Sequence, residues 1–308
     1  MPYKTFFNLN AEPFSNAPAT HLFYANKQHE SILEKLYYAA DSMKGLAVVV
    51  GNAGSGKTML ARRLLNRLQG ESFKAALMVI VHSEISASWL LQRIALQMGV
   101  QKPSNDKLTL LSQLYRKLMQ IKESGKKAVI LIDEAQMLKS VEIMEEFRGL
   151  LNLEVPGHKL ISFVFFGLPE LDNCLKLDQP LKQRVSLRQE LSYLDQQSTC
   201  EYIKHRLKLC GSSEEVFTSE ALEIIFHFSN GTPRLINTIC DNALFEAHLQ
   251  KQTPIEPSII EQIVEELSLD STEEIDSANE SDISETALES ASRELEAFDS
   301  LLKEMEKY

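Results

Sequence analysis

Several common protein classes are excluded by what this sequence holds little of. Only four cysteines occur in 308 residues (Cys174, Cys200, Cys210 and Cys240), and no two stand at C-x-x-C spacing. Separate thiols in a reducing compartment are expected, rather than a disulfide framework or a cysteine zinc site. The seven histidines form no H-E-x-x-H or similar cluster, which argues against a structural metal site. No uninterrupted apolar run approaches the roughly 18–20 residues needed to cross a bilayer. The opening Met-Pro-Tyr-Lys-Thr-Phe-Phe-Asn lacks the basic start and long apolar core of a secretory leader, so a soluble cytoplasmic chain is expected. No repeat of fixed period is evident, and no long Lys/Arg run offers a stripe for nucleic-acid phosphates.

Charge is present but unevenly placed. The formal net charge is −11, from 43 acidic and 32 basic side chains. The stretch 265–308 holds 15 of the acidic and 3 of the basic groups, leaving 28 and 29 in residues 1–264. A near-neutral body therefore carries an acidic tail. The body is long enough for one large core or two modest ones.

Short β-branched runs alternate with longer helical patterns, which predicts a mostly parallel sheet covered by helices. Strands are expected at Leu46–Val50, Ala76–Val81, Ala128–Ile132, Leu160–Phe166 and Val185–Leu191. The first four are continuous apolar runs, as expected where both faces are buried. Helices are expected near 57–69, 86–98, 107–123 and 140–151. After Leu194 the strands stop, and helices are readable from Asp195 to Gly211, Thr218 to Phe228, Pro233 to Gln250 and Glu256 to Leu267. The stretch 270–285 reads as an acidic disordered linker. Beyond it Leu288, Ala291, Leu295, Phe298, Leu302 and Met305 fall at steps of three and four, a short amphipathic seam suited to docking on a partner.

Two strings carry chemistry. Gly51-Asn52-Ala53-Gly54-Ser55-Gly56-Lys57-Thr58 matches G-x-x-x-x-G-K-[ST], directly after an apolar strand and before a helical run. Its glycines let successive backbone N–H groups turn toward phosphate oxygens, and the helix behind aims its positive dipole end at the same place. Lys57 is expected at the β- and γ-phosphates and Thr58 at Mg²⁺, with the loop from Gly51 through Met59 as the nucleotide-binding set. In Ala128-Val129-Ile130-Leu131-Ile132-Asp133-Glu134-Ala135-Gln136, an apolar strand ends in two carboxylates, at the edge where ligands of open α/β sheets bind. Asp133 is a candidate Mg²⁺ ligand. Glu134 is placed to orient and deprotonate the water that attacks the γ-phosphate. Arg184, just before the last strand, and Arg234, at the start of a later helix, are candidate guanidinium groups for the phosphates.

In this order the motifs resemble the AAA+ ATPase superfamily. More closely, the chain is similar to the GspA/ExeA-type ATPases of bacterial general secretion, with a layout nearest to the shorter MshM-like members associated with MSHA pili. The resemblance runs from Tyr3 to Glu266. It rests on Tyr3, Phe6-Phe7, Leu9 and Pro13-Phe14, on Asp133-Glu134-Ala135-Gln136, on Asn152-Leu153-Glu154 and on Gly167-Leu168-Pro169-Glu170-Leu171. Gln183-Arg184 and Gly231-Thr232-Pro233-Arg234-Leu235-Ile236-Asn237 extend it.

The resemblance implies a P-loop core with a five-stranded parallel sheet over 45–193 and an all-helical lid over 194–268. Residues 1–44 would pack on the core, with an acidic linker over 269–285 and a short amphipathic helix over 286–308. It further implies ATP and Mg²⁺ as ligands, a homo-oligomer with Arg184 donated across the subunit interface, and Arg234 acting from the lid. The activity implied is ATP hydrolysis in the service of type II secretion or type IV pilus assembly, at the inner membrane through a partner and without nucleic acid. One departure stands out. Leu168 occupies a position where the family usually has Gln, so another group substitutes for it or hydrolysis is slow. A DNA-handling ATPase and a weakly hydrolysing, ATP-gated interaction protein are the alternatives.

Overall fold

The computed structural model describes residues 2–17, 19–212 and 215–268. The linker and amphipathic helix expected over 269–308 lie outside the described residues. In chain order the elements are α1 (Pro2–Phe6), α2 (Lys27–Asp41), β1 (Leu46–Val50), α3 (Lys57–Arg67), β2 (Phe73–Val79), α4 (Ala87–Met98), α5 (Lys107–Glu123), β3 (Lys127–Asp133) and α6 (Val141–Leu150). They continue with β4 (Glu154–Val155), β5 (His158–Lys159), β6 (Ile161–Gly167), α7 (Leu171–Lys176), α8 (Gln179–Lys182) and β7 (Val185–Glu190). Last come α9 (Gln196–Leu209), α10 (Ser219–Ser229), α11 (Pro233–Gln250) and α12 (Pro257–Glu266).

Five strands form one parallel sheet in the order β2-β3-β6-β1-β7. Strand β1 is buried throughout because both faces are covered. Leu46, Val48 and Val50 enter one apolar cluster with α4–α6, while Ala47 and Val49 enter another with α2 and α3. Strand β6 alternates in the same way, with Phe163 and Phe165 on one side and Val164 and Phe166 on the other. The period of two thus splits a continuous apolar run between two helical layers. Side chains start several helices: Asn26, Ser86, Asp106, Asp195 and Thr218 each accept a backbone N–H from the first turn, at 2.7–3.2 Å.

The second strand departs from expectation. It spans Phe73–Val79, starting three residues and ending two residues earlier than read from its apolar run, and it is not buried on both faces. Val79 is 45% exposed and Val81 78% exposed. The reason is position: β2 is the sheet's outer strand, so only one neighbour and part of each layer cover it. The two-residue strands β4 and β5 form a small antiparallel ladder apart from the main sheet. Gly157 occupies its turn at φ +79°.

A third apolar cluster joins α9–α12 to the beginning of the chain. Tyr3, Phe7, Leu9, Phe14 and Leu22 pack with Ile203, Ile236, Ile239 and Leu244. The Tyr3 hydroxyl donates to Asp241 Oδ1 at 2.7 Å. Residues 1–44 therefore do not act as one segment on the core. The first two dozen residues pack with the helical lid, and α2 lies on the sheet through Ile32, Leu33 and Leu36. All four cysteines are unpaired thiols.

Candidate functional site

The phosphate loop leaves the C-terminal end of β1 in the middle of the sheet. Gly51 donates its N–H to Gly167 O at the end of β6, at 3.2 Å. Gly54 and Gly56 sit at φ +75° and +100°, a backbone region that glycine enters without steric cost, and α3 starts at Lys57. The Lys57 ammonium is buried and donates to Gly51 O at 2.8 Å and Asn52 O at 2.9 Å. It rests on carbonyls of its own loop, which hold it by hydrogen bonds that a phosphate can replace. Ser55 Oγ is buried with no hydrogen-bond partner among the described residues. An orphaned hydroxyl inside this loop fits an absent acceptor such as a phosphate oxygen.

Behind the loop stands the end of β3. Thr58 Oγ1 donates to Asp133 Oδ2 at 2.6 Å, and the Glu134 N–H donates to Asp133 Oδ1 at 3.0 Å. Burial pushes the Asp133 carboxyl up from its ordinary value, against the Thr58 hydrogen bond. Burial likewise pushes the Lys57 ammonium down, against the pull of Glu134 and Asp133. Both shifts have one main cause, burial that disfavours the charged form. A divalent cation beside Asp133 and a polyphosphate beside Lys57 would each favour the ionised form. The hydroxyl–carboxylate pair is also the hard oxygen donor set that Mg²⁺ takes.

Glu134 follows in the left-handed region, at φ 56° and ψ 37°. For a non-glycine residue this is a sparsely populated conformation, of the kind found at functional sites. Its carboxylate is held by a neighbour that the sequence did not single out: Gln136 Nε2 donates to Glu134 Oε2 at 2.6 Å. The same buried amide accepts the Leu168 N–H on Oε1 at 3.1 Å. Gln136 therefore ties Glu134 to the end of β6. A Cβ on Gly167 would lie 2.9 Å from Gln136 Oε1, so the amide and this glycine fit only together.

The lid closes over the loop. A Cβ on Gly54 would meet Thr232 Cγ2 at 2.9 Å and Arg234 Cβ at 3.1 Å, which puts the N-terminal end of α11 directly on the phosphate loop. The Tyr193 hydroxyl adds a hydrogen bond to Ala53 O at 3.0 Å. One cavity of about 530 Å³ is lined by residues 53–59, Glu134, Leu168 and Arg234. Ser15–Ala17, Phe23, Tyr24 and His29 from the start of the chain also line it, as do Tyr202, Arg206 and Asn237 from the lid.

Most expected site residues meet here. Ala53, Gly54, Ser55, Gly56, Lys57, Thr58 and Met59 line the cavity, with Glu134 and Arg234. Gly51 and Asn52 stand behind it as acceptors for Lys57, and Asp133 stands behind Thr58. Arg184 is elsewhere. It precedes β7 beside Leu46, at the opposite end of the strands from the loop, where its Nη1 donates to Arg148 O at 2.8 Å. Leu168 presents its backbone N–H rather than a polar side chain. The lining residues Ser15–Ala17, Phe23, Tyr24 and His29, and Arg206 in α9, lie outside the motifs and are placed at the cavity only by the fold.

Comparisons with known proteins bear on the fold and the family. The family described as AAA domain matches residues 40–175. General secretion pathway protein A of Aeromonas hydrophila is 35% identical over 248 residues, which is 80% of this chain and 45% of that protein. The chain thus spans less than half the length of this curated relative. Among solved structures, the Aeropyrum pernix ORC2 protein in its ADPNP–ADP complexes aligns with a TM-score of 0.66 at 16% identity, over 83% of this chain and 72% of that one. Cdc6p of Pyrobaculum aerophilum aligns at 0.64 and 18%, covering 82% and 70%. The RuvB Holliday junction branch migration motor of Thermotoga maritima aligns at 0.53 and 18%, covering 80% and 71%. At these identities the three share the fold.

Proposed function

We propose that this chain, a GspA-like AAA+ P-loop protein by its similarity, hydrolyses ATP to drive or gate assembly of a type II secretion or MSHA-like type IV pilus machine. The observation that carries the reading is the single cavity onto which the phosphate loop, Glu134 and Arg234 all open. Such an arrangement can act on a phosphoanhydride by positioning and charge, without a covalent intermediate. Lys57 leaves its loop carbonyls for the β- and γ-phosphates, and the loop N–H groups hold the remaining oxygens. Glu134 takes a proton from the water as its oxygen bonds the γ-phosphorus and the bond to the β-bridging oxygen breaks. Arg234 faces the charge that moves onto the leaving diphosphate. Thr58 and Asp133 would hold Mg²⁺, which neutralises phosphate charge when bound.

Arg184 lies too far from this loop to serve it. We read it as a group for a neighbouring subunit's nucleotide, which makes the working form a homo-oligomer. No described helix is long and apolar enough to cross a membrane. Attachment to the inner membrane through a secretion or pilus partner, from the cytoplasmic side, accords with that. Phosphate release by the purified chain tests the activity. Lys57→Ala should abolish ATP binding, and Glu134→Gln should bind ATP without turning it over. Wild-type turnover by Glu134→Gln would remove the general-base assignment.

Leu168 favours a second reading, a slow ATPase whose nucleotide gates an interaction surface. Its side chain can make no hydrogen bond, and its N–H is already spent on Gln136. A large rise in turnover on Leu168→Gln would support this reading, and an unchanged rate would remove it.

A further inference from the structure

The positive charge of the body is concentrated in one stretch. Residues 86–127 hold 8 basic and 2 acidic groups, a net of +6, while the rest of 1–264 holds 21 and 26, a net of −5. That stretch is α4, α5 and the turns around them. Lys107 pairs with Glu146 and Lys127 with Asp41. Arg93, Lys102, Arg116, Lys117, Lys122 and Lys126 make no ion pair among the described residues.

The same two helices turn apolar side chains to solvent. Leu90, Leu91, Ile94 and Met98 of α4 enter the core, as do Leu110, Leu114 and Leu118 of α5. Away from those positions, Trp89 and Leu96 stand two turns apart on α4, and Leu108 and Tyr115 two turns apart on α5. All four are exposed, Trp89 by 43% and Leu108 by 75%. The helices run side by side in one direction: Gln92 Nε2 donates to Asn105 Oδ1 at 3.0 Å, and a Cβ on Gly99 would lie 3.1 Å from Lys117 Cε. Both stripes therefore lie on the outer side of one helical layer, in the stretch that carries the unpaired cations.

A single exposed leucine is ordinary, but four large apolar side chains among six unpaired cations mark a surface that meets something. Nucleic-acid phosphates would engage the cations and leave Leu96 and Leu108 in water. An apolar protein groove would cover the leucines and leave the cations idle. An anionic lipid surface meets both demands, because the acyl boundary takes Leu and Trp while headgroup phosphates take Lys and Arg. The long stems of lysine and arginine let their heads stay with the phosphates as the apolar groups enter.

We propose that the outer face of α4 and α5 binds an anionic membrane surface, with Trp89, Leu96, Leu108 and Tyr115 entering the headgroup boundary and the surrounding cations on lipid phosphates. The contact is direct, needs no nucleotide, and goes beyond attachment through a protein partner.

Trp89 is the chain's only tryptophan, so intrinsic emission reports this face alone. The full chain is titrated, without nucleotide, with vesicles of phosphatidylcholine and with equimolar phosphatidylglycerol and phosphatidylcholine, and binding is measured in parallel by co-sedimentation. The anionic vesicles should shift the emission to the blue and sediment the chain, the neutral ones should do neither, and added salt should weaken the binding. Arg116→Gln should weaken it on the order of fivefold, the share of one cation at an anionic surface. Leu108→Asp should weaken it more, while Leu249→Asp, on an exposed stretch of α11, should leave it unchanged. Equal binding to both vesicles, no binding to either, or wild-type binding by Leu108→Asp would overturn the proposal. So would a DNA duplex that gives the same blue shift and displaces the vesicles, since the face would then read phosphates rather than a bilayer. Each of those failures leaves the nucleotide reading standing, because ATP enters none of these measurements.

Discussion

Glu134 and Gln136 work as a pair. The carboxylate that would accept a proton from water is fixed by a left-handed backbone and by one amide donor at 2.6 Å. That amide is in turn fixed by the Leu168 N–H. Gln136→Ala should therefore lower kcat on the order of tenfold, the cost of one hydrogen bond to a charged acceptor, and leave KM and ATP affinity unchanged. In a Glu134→Gln background, where turnover is already lost, the same change should leave ATP binding unchanged; weaker binding would mean that Gln136 acts elsewhere. At this scale the sequence was readable wherever a residue's neighbours are local. The loop from Gly51 to Thr58 and the pair Asp133-Glu134 follow from strand, turn and helix signals a few residues apart. Gln136 was legible only as part of a string, because its meaning comes from Leu168, 32 residues away. Arg206 was not legible at all, since a lone arginine on a helix reads as a surface group until the fold buries it at the cavity.

Elements were legible in proportion to how local their signals are. The helix starting at Asp195 shows its cap, and α11 begins at Pro233 and ends at Gln250, because caps and first-turn prolines act within four residues. The second strand starts three residues and ends two residues earlier than its apolar run, since that run continues past the last ladder position into exposed chain at the sheet's edge. The division of residues 1–44 between lid and sheet was hidden because it depends on the partner each part meets. The join between sheet and lid is tight at Gly231, where φ is +70° and a Cβ would lie 1.7 Å from Leu194 O. Gly231→Ala must displace that backbone and, with it, the start of α11 over Gly54. We expect a loss of roughly 2–4 kcal/mol in denaturant unfolding together with weaker ATP binding. Asp195→Ala, which removes only a helix cap, should cost about 1 kcal/mol and leave ATP affinity intact. Equal effects of both on ATP affinity would contradict the role given to the close packing at Gly231.

For the whole molecule, two expectations separate the body from its tail. His29 is buried against the nucleotide cavity, and burial pushes its imidazole from 6.5 down to about 4. The folded chain thus keeps His29 neutral over a range where the unfolded chain binds a proton. Stability from this group is complete above about pH 6.5 and is lost as pH falls toward 4, by about 3 kcal/mol in all. Unfolding midpoints measured between pH 7 and 4 should fall less steeply for His29→Asn than for wild type, and equal slopes would assign the acid sensitivity to other groups. The second expectation concerns charge. Residues 265–308 carry a net of −12, and residues 1–264 carry 28 acidic against 29 basic groups, a net of +1. Among the described residues, the body supplies the three apolar clusters and the cavity walls. Removing 271–308 takes away none of those contacts, so the shortened chain should unfold at the same midpoint and hydrolyse ATP at the wild-type rate. The cut removes 12 acidic and 3 basic groups, a net of −9. A partner held through the acidic stretch or its amphipathic seam should then be lost, and pull-down from the native host should show that loss at unchanged ATPase activity. A fall in the unfolding midpoint or in turnover would place part of the engine in the tail and end the division drawn between them.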